Sequence, residues 1–247
     1  MLLRYDQAAQ VRRVLRITLP GLLAAALLPA ALWATPLDFG AALQDFETGE
    51  EVGTVEASGA TMTVFCENEG GGPDLCIIFD TEEPSGGDWD LGAPNQDFGG
   101  PGLGEGGQTG KEGQNENVLG NILIIAENDE DVNEDGFVDV PDDESGGGVV
   151  RLQFSHAGRL SLTLIDVDED EDEPKLVLWK EGEIVETVEG ESPGDNGVQH
   201  LDLGWAGDID AVDIELDGST GIAEIVLDVI SVGVAQSQWS NMKRVYR

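Results

Sequence analysis

Positive charge is what this sequence has least of. Lys and Arg number 12 against 50 Asp and Glu in 247 residues, a formal charge of −38. Four of the basic residues, Arg4, Arg12, Arg13 and Arg16, crowd the N-terminus, so the rest of the chain is more acidic still. A surface of that sign repels nucleic acid and anionic membranes and draws in cations. Histidine is almost missing too, with His156 in "SHAG" and His200 in "VQHLDL" as the two present. The first is read in a turn and the second on the solvent side of a strand. Neither stands near a GxSxG-type nucleophile, which argues against Ser–His or Cys–His chemistry. Carboxylates are so abundant that no glycosidase pair can be singled out. The chain is read as a non-enzyme, with a secreted hydrolase ranked last of three functions.

Cysteine is equally sparse. Cys66 and Cys76 flank the nine residues "ENEGGGPDL". With no third thiol and no nearby histidine, a metal or redox role gives way to a disulfide closing a hairpin, the bond of an exported protein. Export is also the reading of the N-terminus. The basic stretch leads into the apolar run Ile17–Ala34, which has small residues near its end and Ala34 as its last. That order describes a secretory signal peptide over 1–34. The alternative is a retained membrane anchor, which Pro20, Gly21 and Pro29 weaken. Residues 35–235 are then one domain and 236–247 a short tail. The mature protein is expected outside the cell or on its surface, without membrane insertion.

Helical periodicity is lacking beyond that run. Short β-type segments recur instead, among them "ATMTVFC", "LCIIFD", "VLGNILIIAE", "VVRLQFS", "RLSLTLIDV", "KLVLWK", "EIVETVE", "VQHLDL", "IDAVDIEL" and "AEIVLDVISV". In "VDIELD", Val212, Ile214 and Leu216 fall on one face and Asp213, Glu215 and Asp217 on the other. "KLVLWK-EG-EIVETVE" predicts a hairpin with Glu181-Gly182 at its tip. Together these predict an all-β, jelly-roll-like β-sandwich with two unusual connections. One is the Gly-rich stretch 84–120, functional or disordered at that length. Its "GLGEGG" (102–107) matches a dinucleotide-binding pattern in letters alone, since no strand precedes it and no helix follows.

The other connection is "DVNEDGFVDVPD" (131–142). Asp131, Asn133, Asp135, Asp139 and Asp142 hold positions 1, 3, 5, 9 and 12 of a calcium loop, Gly136 is the turn glycine at position 6, and Phe137 offers its carbonyl at 7. Calcium would here order a β-connection, because neither flank is a helix. Asp142 in place of the usual Glu resembles the calcium loops of dockerins and thrombospondin-type repeats. Asp80, Asp88, Asp90, Asp166 and Asp168 are read either as a second calcium site or as solvated turns. In the strand ending at "LIDVDE", Asp166 and Asp168 share the parity of the core-facing leucines.

"FDTEEPSGGDWDLGAPN", "LGNILIIAEN…DDESGGG" and "LTLIDVDE" resemble a block found in exported bacterial proteins of the PEP-CTERM-associated type, over roughly residues 75–230. That resemblance implies a surface or extracellular β-sandwich. The end, "QSQWSNMKRVYR", carries no Pro-Glu-Pro sorting motif. "QDFE" (Asp45, Glu47) and "IVLDVI" (Asp228) are similar to the pair that holds a structural ion in calcium-stabilised carbohydrate-binding jelly rolls. The resemblance implies a structural metal at Glu47 and Asp228, the alternative for Asp228 being a bulge or strand end facing water. Trp89, in the Gly-rich loop, is the candidate glycan contact, with Trp179 read as core and Trp205 as a turn residue. The reading is thus a secreted or cell-surface, calcium-binding, structural or adhesive β-sandwich. Its alternative is a calcium-dependent carbohydrate-binding module, and its partners are calcium and an extracellular polysaccharide or surface protein.

Overall fold

A computed structural model describes residues 35–168 and 172–229. The expected signal peptide and C-terminal tail lie outside the described residues. The strands are β1 (Thr35–Asp38), β2 (Thr54–Ala57), β3 (Ala60–Asn68), β4 (Cys76–Asp80), β5 (Asn121–Ile125), β6 (Gly148–Ile165), β7 (Lys175–Lys180), β8 (Glu183–Glu189), β9 (Val198–Leu216) and β10 (Gly221–Val229). They form one antiparallel sheet in the order β4-β5-β10-β6-β9-β7-β8, with β1 on β10 and the β2–β3 hairpin on β6. This is an all-β, jelly-roll-like β-sandwich, made by a long sheet curling over its own core.

Two strands of 18 and 19 residues, β6 and β9, make the curl. "VVRLQFS" and "RLSLTLIDV" are a single strand, so His156 lies within β6 and not in a turn. "LGWAGD", with Trp205, likewise lies inside β9. The β6–β9 register shifts between Gln153 and Ala157, again before Arg159, and again before Ser161. Such irregularities bend a strand without ending it. The first half of β6 can therefore pair with β3 and the second half with β10. The β7–β8 hairpin turns at Glu181 and Gly182 as expected, both at positive φ (51° and 82°). A five-residue helix, α1 (Phe39–Leu43), goes unannounced by any periodicity. Asp38 caps it by accepting from the Ala41 N–H at 2.8 Å, and it buries Phe39 and Leu43.

Alternating residues of the strands fill the larger core: Met62 and Val64, Leu152, Leu176 and Leu178, Val212 and Ile214. In contrast, β4 and β5 are buried on both faces. Ile77, Phe79, Ile122 and Ile124 point away from that core into a second cluster, completed by Leu91 and Ala93 of the Gly-rich stretch and by Val138. The stretch is thus a folded cover over the outer side of β4 and β5. Fully burying a side chain such as Leu91 contributes about 1.5–3 kcal/mol.

The Cys66–Cys76 disulfide is formed, with Cα atoms 5.4 Å apart. It does not close a hairpin. β3 pairs with β2 and β6, whereas β4 pairs with β5, so the bond ties together two strands that share no backbone hydrogen bonds.

Candidate metal centre

Five connections meet at the end of the sheet where β6 stops, those that follow β4, β5, β6, β8 and β9. The Gly-rich stretch leaves β4 and turns at Gly86 and Gly87, with φ of 70° and 136°. A Cβ on Gly86 would lie 2.7 Å from the Asp142 carboxyl carbon, so glycine is needed for this approach. Ser85 Oγ donates to the Pro141 carbonyl at 2.7 Å, and the Asp143 N–H donates to Asp88 Oδ2 at 3.1 Å. Asp143 Oδ2 in turn accepts from the Thr220 N–H at 3.0 Å. Asp166 follows β6 directly, at φ 68°. Its Oδ1 accepts from the Asn196 N–H at 2.6 Å and its Oδ2 from Ser219 Oγ at 3.1 Å.

Two carboxylate groups result, Asp88 with Asp142 and Asp143, and Asp90 with Asp166 and Asp195; within each, one oxygen from every residue lies within 4.8 Å of the others. Asp166 is 1% exposed and Asp143 6%. Burial, then the Asp143 charge, pushes the Asp88 carboxyl up to about 9. Burial and the Asp90 charge raise Asp166 to about 8, and burial raises Asp143 to about 6. Burial also raises Asp90, and the charge of Asp142 raises Glu127. Because Asp90 acts on both Asp143 and Asp166, the two groups form one electrostatic unit. Among the described residues, the Arg and Lys ion pairs go elsewhere: Arg151 to Asp213, Arg159 to Asp202 and Lys180 to Asp208. Buried carboxylates crowded in this way must hold protons or a cation. Their all-oxygen donor set suits a hard cation, and carboxylates presented from separate connections suit the flexible coordination of calcium better than the strict octahedron of magnesium.

The Gly-rich stretch is fastened by three asparagines. Asn196 Nδ2 donates to the carbonyls of Asp90 (2.5 Å) and Gly92 (2.6 Å), while its Oδ1 accepts from Asn95 Nδ2 (2.7 Å) and Asn115 Nδ2 (3.2 Å). All three are buried. The glycines of "GLGEGG" have a packing role here. A Cβ on Gly104 or Gly106 would come within 2.4 Å of the Asp195 or Pro193 carbonyl oxygen. The dinucleotide-like letters therefore mark close chain contact.

Of the expected ligands in 131–142, Asp131, Asn133, Asp135 and Asp139 stay in their loop. Asp131 accepts from the N–H groups of Asp135 (3.1 Å) and Gly136 (2.9 Å), and Asn133 Oδ1 from Asp135 N–H (2.8 Å). Asp139 accepts from Val132 N–H and Asn133 Nδ2, each at 2.6 Å. The Phe137 N–H donates to Asp135 Oδ1 at 3.0 Å. Gly136 turns at φ 94°, as a tight loop requires. Asp142 stands instead with Asp88 and Asp143, one residue after the Pro141 carbonyl that accepts from Ser85 Oγ.

Of the residues read together as a second site, Asp90 and Asp166 share one group, whereas Asp88 stands in the other. Asp168 adds its charge to Asp166 from outside the triads. Asp80 caps its own turn through Glu82 N–H at 2.9 Å. Glu47 is in an exposed turn and Asp228 is half-buried, its carboxylate 3.9 Å from Arg159 Nε. Trp89, between Asp88 and Asp90, is 51% exposed. Trp179 is half-buried on the outer side of the sheet, outside the core where it was expected. Sequence reasoning missed Asp143 and Asp195. Asp143 falls one residue past the twelve-residue window, and Asp195 belongs to an Asp-Asn-Gly turn, a pattern ordinarily read as a loop.

No family model and no curated protein matches the chain. Among solved structures it is similar to two mutants of the family 29 carbohydrate binding module CBM29-2. One is 21% identical over 43% of this chain and 69% of the other, with a TM-score of 0.26. The second is 18% identical over 68% of this chain and 91% of the other, also with a TM-score of 0.26.

Proposed function

We propose that this protein is an exported, calcium-binding, non-catalytic β-sandwich with a structural or adhesive role at the cell surface or in extracellular matrix. One observation carries the reading: Asp143 and Asp166 are buried at the rim of the sheet among like charges, with four further carboxylates around them. Calcium would neutralise the cluster and tie the Gly-rich stretch, the acidic connection and the β8–β9 connection to the end of β6. The 131–142 loop, shaped by its own carboxylates, is a second calcium site in this reading. The disulfide and the resemblance of the "FD…GGDWDLG" block to exported bacterial proteins support placement outside the cell. Calorimetric titration of the mature domain with calcium tests the proposal. Saturable binding in the micromolar to millimolar range supports it, and absence of heat up to ten millimolar overturns it.

The exposure of Trp89 favours a second reading, a calcium-dependent carbohydrate-binding module. The indole stands between two cluster residues, so a bound cation would hold it at the surface. Polysaccharide pull-downs with calcium and with chelator test this reading. Equal, null retention in both overturns it.

A further inference from the structure

The outer face of β3, β6, β9 and β7 differs from the outer face of β4 and β5. Loops cover the outer side of β4 and β5, yet here a groove of about 830 Å³ lies open, lined by Phe65, Arg151, Gln153, Asp213 and Glu215 among others. The register sets these side chains in two rows across the strands. Phe65 opposes Arg151, Arg151 opposes Asp213, and Asp213 opposes Val177. One pair along, Gln153 opposes Ala211, and Ala211 opposes Trp179. Residues two apart on a strand share a face, so Phe65, Arg151, Gln153, Asp213 and Trp179 form a single surface.

That surface is held in shape before any ligand arrives. Arg151 Nε and Nη2 donate to the two oxygens of Asp213 at 2.5 and 2.6 Å, and Trp179 Nε1 donates to Asp213 Oδ2 at 2.8 Å. The guanidinium carbon lies 5.3 Å from the centre of the Trp179 ring. The planar fork of Arg151 is thus fixed by a bidentate pair and an aromatic ring. Beside it Phe65 is 52% exposed, an apolar ring half open to solvent.

We infer that this face binds a neutral, hydroxyl-rich polysaccharide laid across β3, β6 and β9. The Phe65 ring stacks on the apolar face of one sugar, and Arg151 and Gln153 hydrogen-bond its hydroxyls, with Asp213 buried beneath them as the group that orients Arg151. Charge excludes an anionic occupant. Glu67, Asp74, Asp213 and Glu215 line the groove against Arg151, so a polyanion is repelled. The many polar groups would be left unpaired under an apolar partner. The groove has the size at which small ligands are commonly bound. The inference rests on the carbohydrate-binding reading and moves its contact surface from Trp89 to the sheet.

Affinity electrophoresis tests it, with the calcium-loaded protein run through gels containing β-glucan, xylan, galactomannan, dextran or the anionic polygalacturonate. At least one neutral polysaccharide should retard the wild type. Phe65→Ala and Gln153→Ala, both at exposed positions, should each weaken that retardation about tenfold with unchanged melting temperature. Val118→Ala, at an exposed position in the Gly-rich stretch, should bind as wild type. If Trp89→Ala abolishes retardation and Phe65→Ala does not, the carbohydrate reading stands and this face is overturned as its site. If no neutral polysaccharide retards the protein, both fall. Retardation by polygalacturonate alone, or capture of an unfolded polypeptide such as reduced casein with no polysaccharide bound, also overturns the inference.

Discussion

Asp88 and Asp143 meet across 55 residues of chain, the backbone N–H of the second donating to the carboxylate of the first at 3.1 Å. Two acidic side chains are thereby fixed close together at the rim of a hydrophobic sheet. The backbone bond and the Gly86–Gly87 turn hold them there in spite of their repulsion. Geometry that imposes such repulsion makes stability depend on what occupies the space between the oxygens.

The first prediction follows from the sign of that dependence. Asp88, Asp143 and Asp166 all have folded-state values raised above the ordinary carboxyl range, to about 9, 6 and 8. A raised acid favours the protonated folded state. Its contribution to stability is fully present below the unfolded value near 4 and is lost as pH rises through the folded values. In chelator, melting temperature should therefore fall from about pH 5 to pH 9. In excess calcium the decline should flatten or reverse, because the metal replaces the protons. Calorimetry at both conditions checks this, and parallel profiles would leave the cluster without a cation.

Substitution separates the two calcium candidates. Asp166→Asn keeps shape and removes one buried charge. It should raise melting temperature in chelator at pH 8 and cut the calcium-induced gain. Asp135→Ala should leave the apo melting temperature within about 1–2 °C, since it changes an exposed side chain. It should remove only the gain due to the 131–142 loop. Saturating a site at one hundred times its dissociation constant adds about 2.7 kcal/mol, or about 5–10 °C in a domain of this size. Full calcium response in both variants would assign neither set of residues to the metal.

How far the sequence discloses this arrangement can be judged residue by residue. Strand identity is legible wherever one face is wet, as in Val212 to Asp217, because alternation reports burial directly. β4 and β5 are legible as apolar runs, but their cover is not, since nothing local in "CIIFD" says which segment lies over it. The clustering of Asp88, Asp90 and Asp166 can be suspected from parity and flexible glycines. The transfer of Asp142 from one site to the other cannot, because it depends on where Ser85 meets Pro141. Nor does a period-2 pattern distinguish two strands from one bent strand. Bulges near Ala157 and Arg159 settle that in β6 through pairing partners far away in sequence.

The disulfide prediction concerns stability and not the fold. Cys66 and Cys76 close a short loop, with a sequence separation of 10. By the chain-entropy estimate the bond contributes about 2–3 kcal/mol. Since it joins strands that share no hydrogen bonds, reduction should also loosen β4 relative to β3. Cys66→Ser/Cys76→Ser should lower the melting temperature by about 5–10 °C. Alkylation without reductant should label no thiol in the wild type, and labelling of both would show the bond absent.

The last prediction tests the Gly-rich stretch, whose length suggested mobility. Asn196 holds it through two donated bonds, to the Asp90 and Gly92 carbonyls, and two accepted bonds, from Asn95 and Asn115. Its own backbone N–H anchors Asp166. Asn196→Ala removes the side-chain bonds and leaves two carbonyls and two amides with fewer partners in a buried setting. Each such loss costs about 1–3 kcal/mol when water cannot replace it. Asn196 also sits at φ 59°, where asparagine is tolerated better than alanine. A total loss of about 3–5 kcal/mol is expected, within the range known for breaking a buried network. The damage should be local first. Leu91 and Ala93 would leave the second core, exposing the outer face of β4 and β5. Limited proteolysis should then cut within 84–120 long before the sheet, whereas the wild type in calcium should resist there. Asn196→Asp separates packing from charge. It retains the size and the capacity to accept but places another negative charge beside Asp90 and Asp166, so it should be cut readily in chelator and recover part of its resistance in calcium. If Asn196→Ala and wild type are cut at the same rate in the same place, the asparagine network does not hold the loop, and Asp88 and Asp90 are not fixed in the cluster by it.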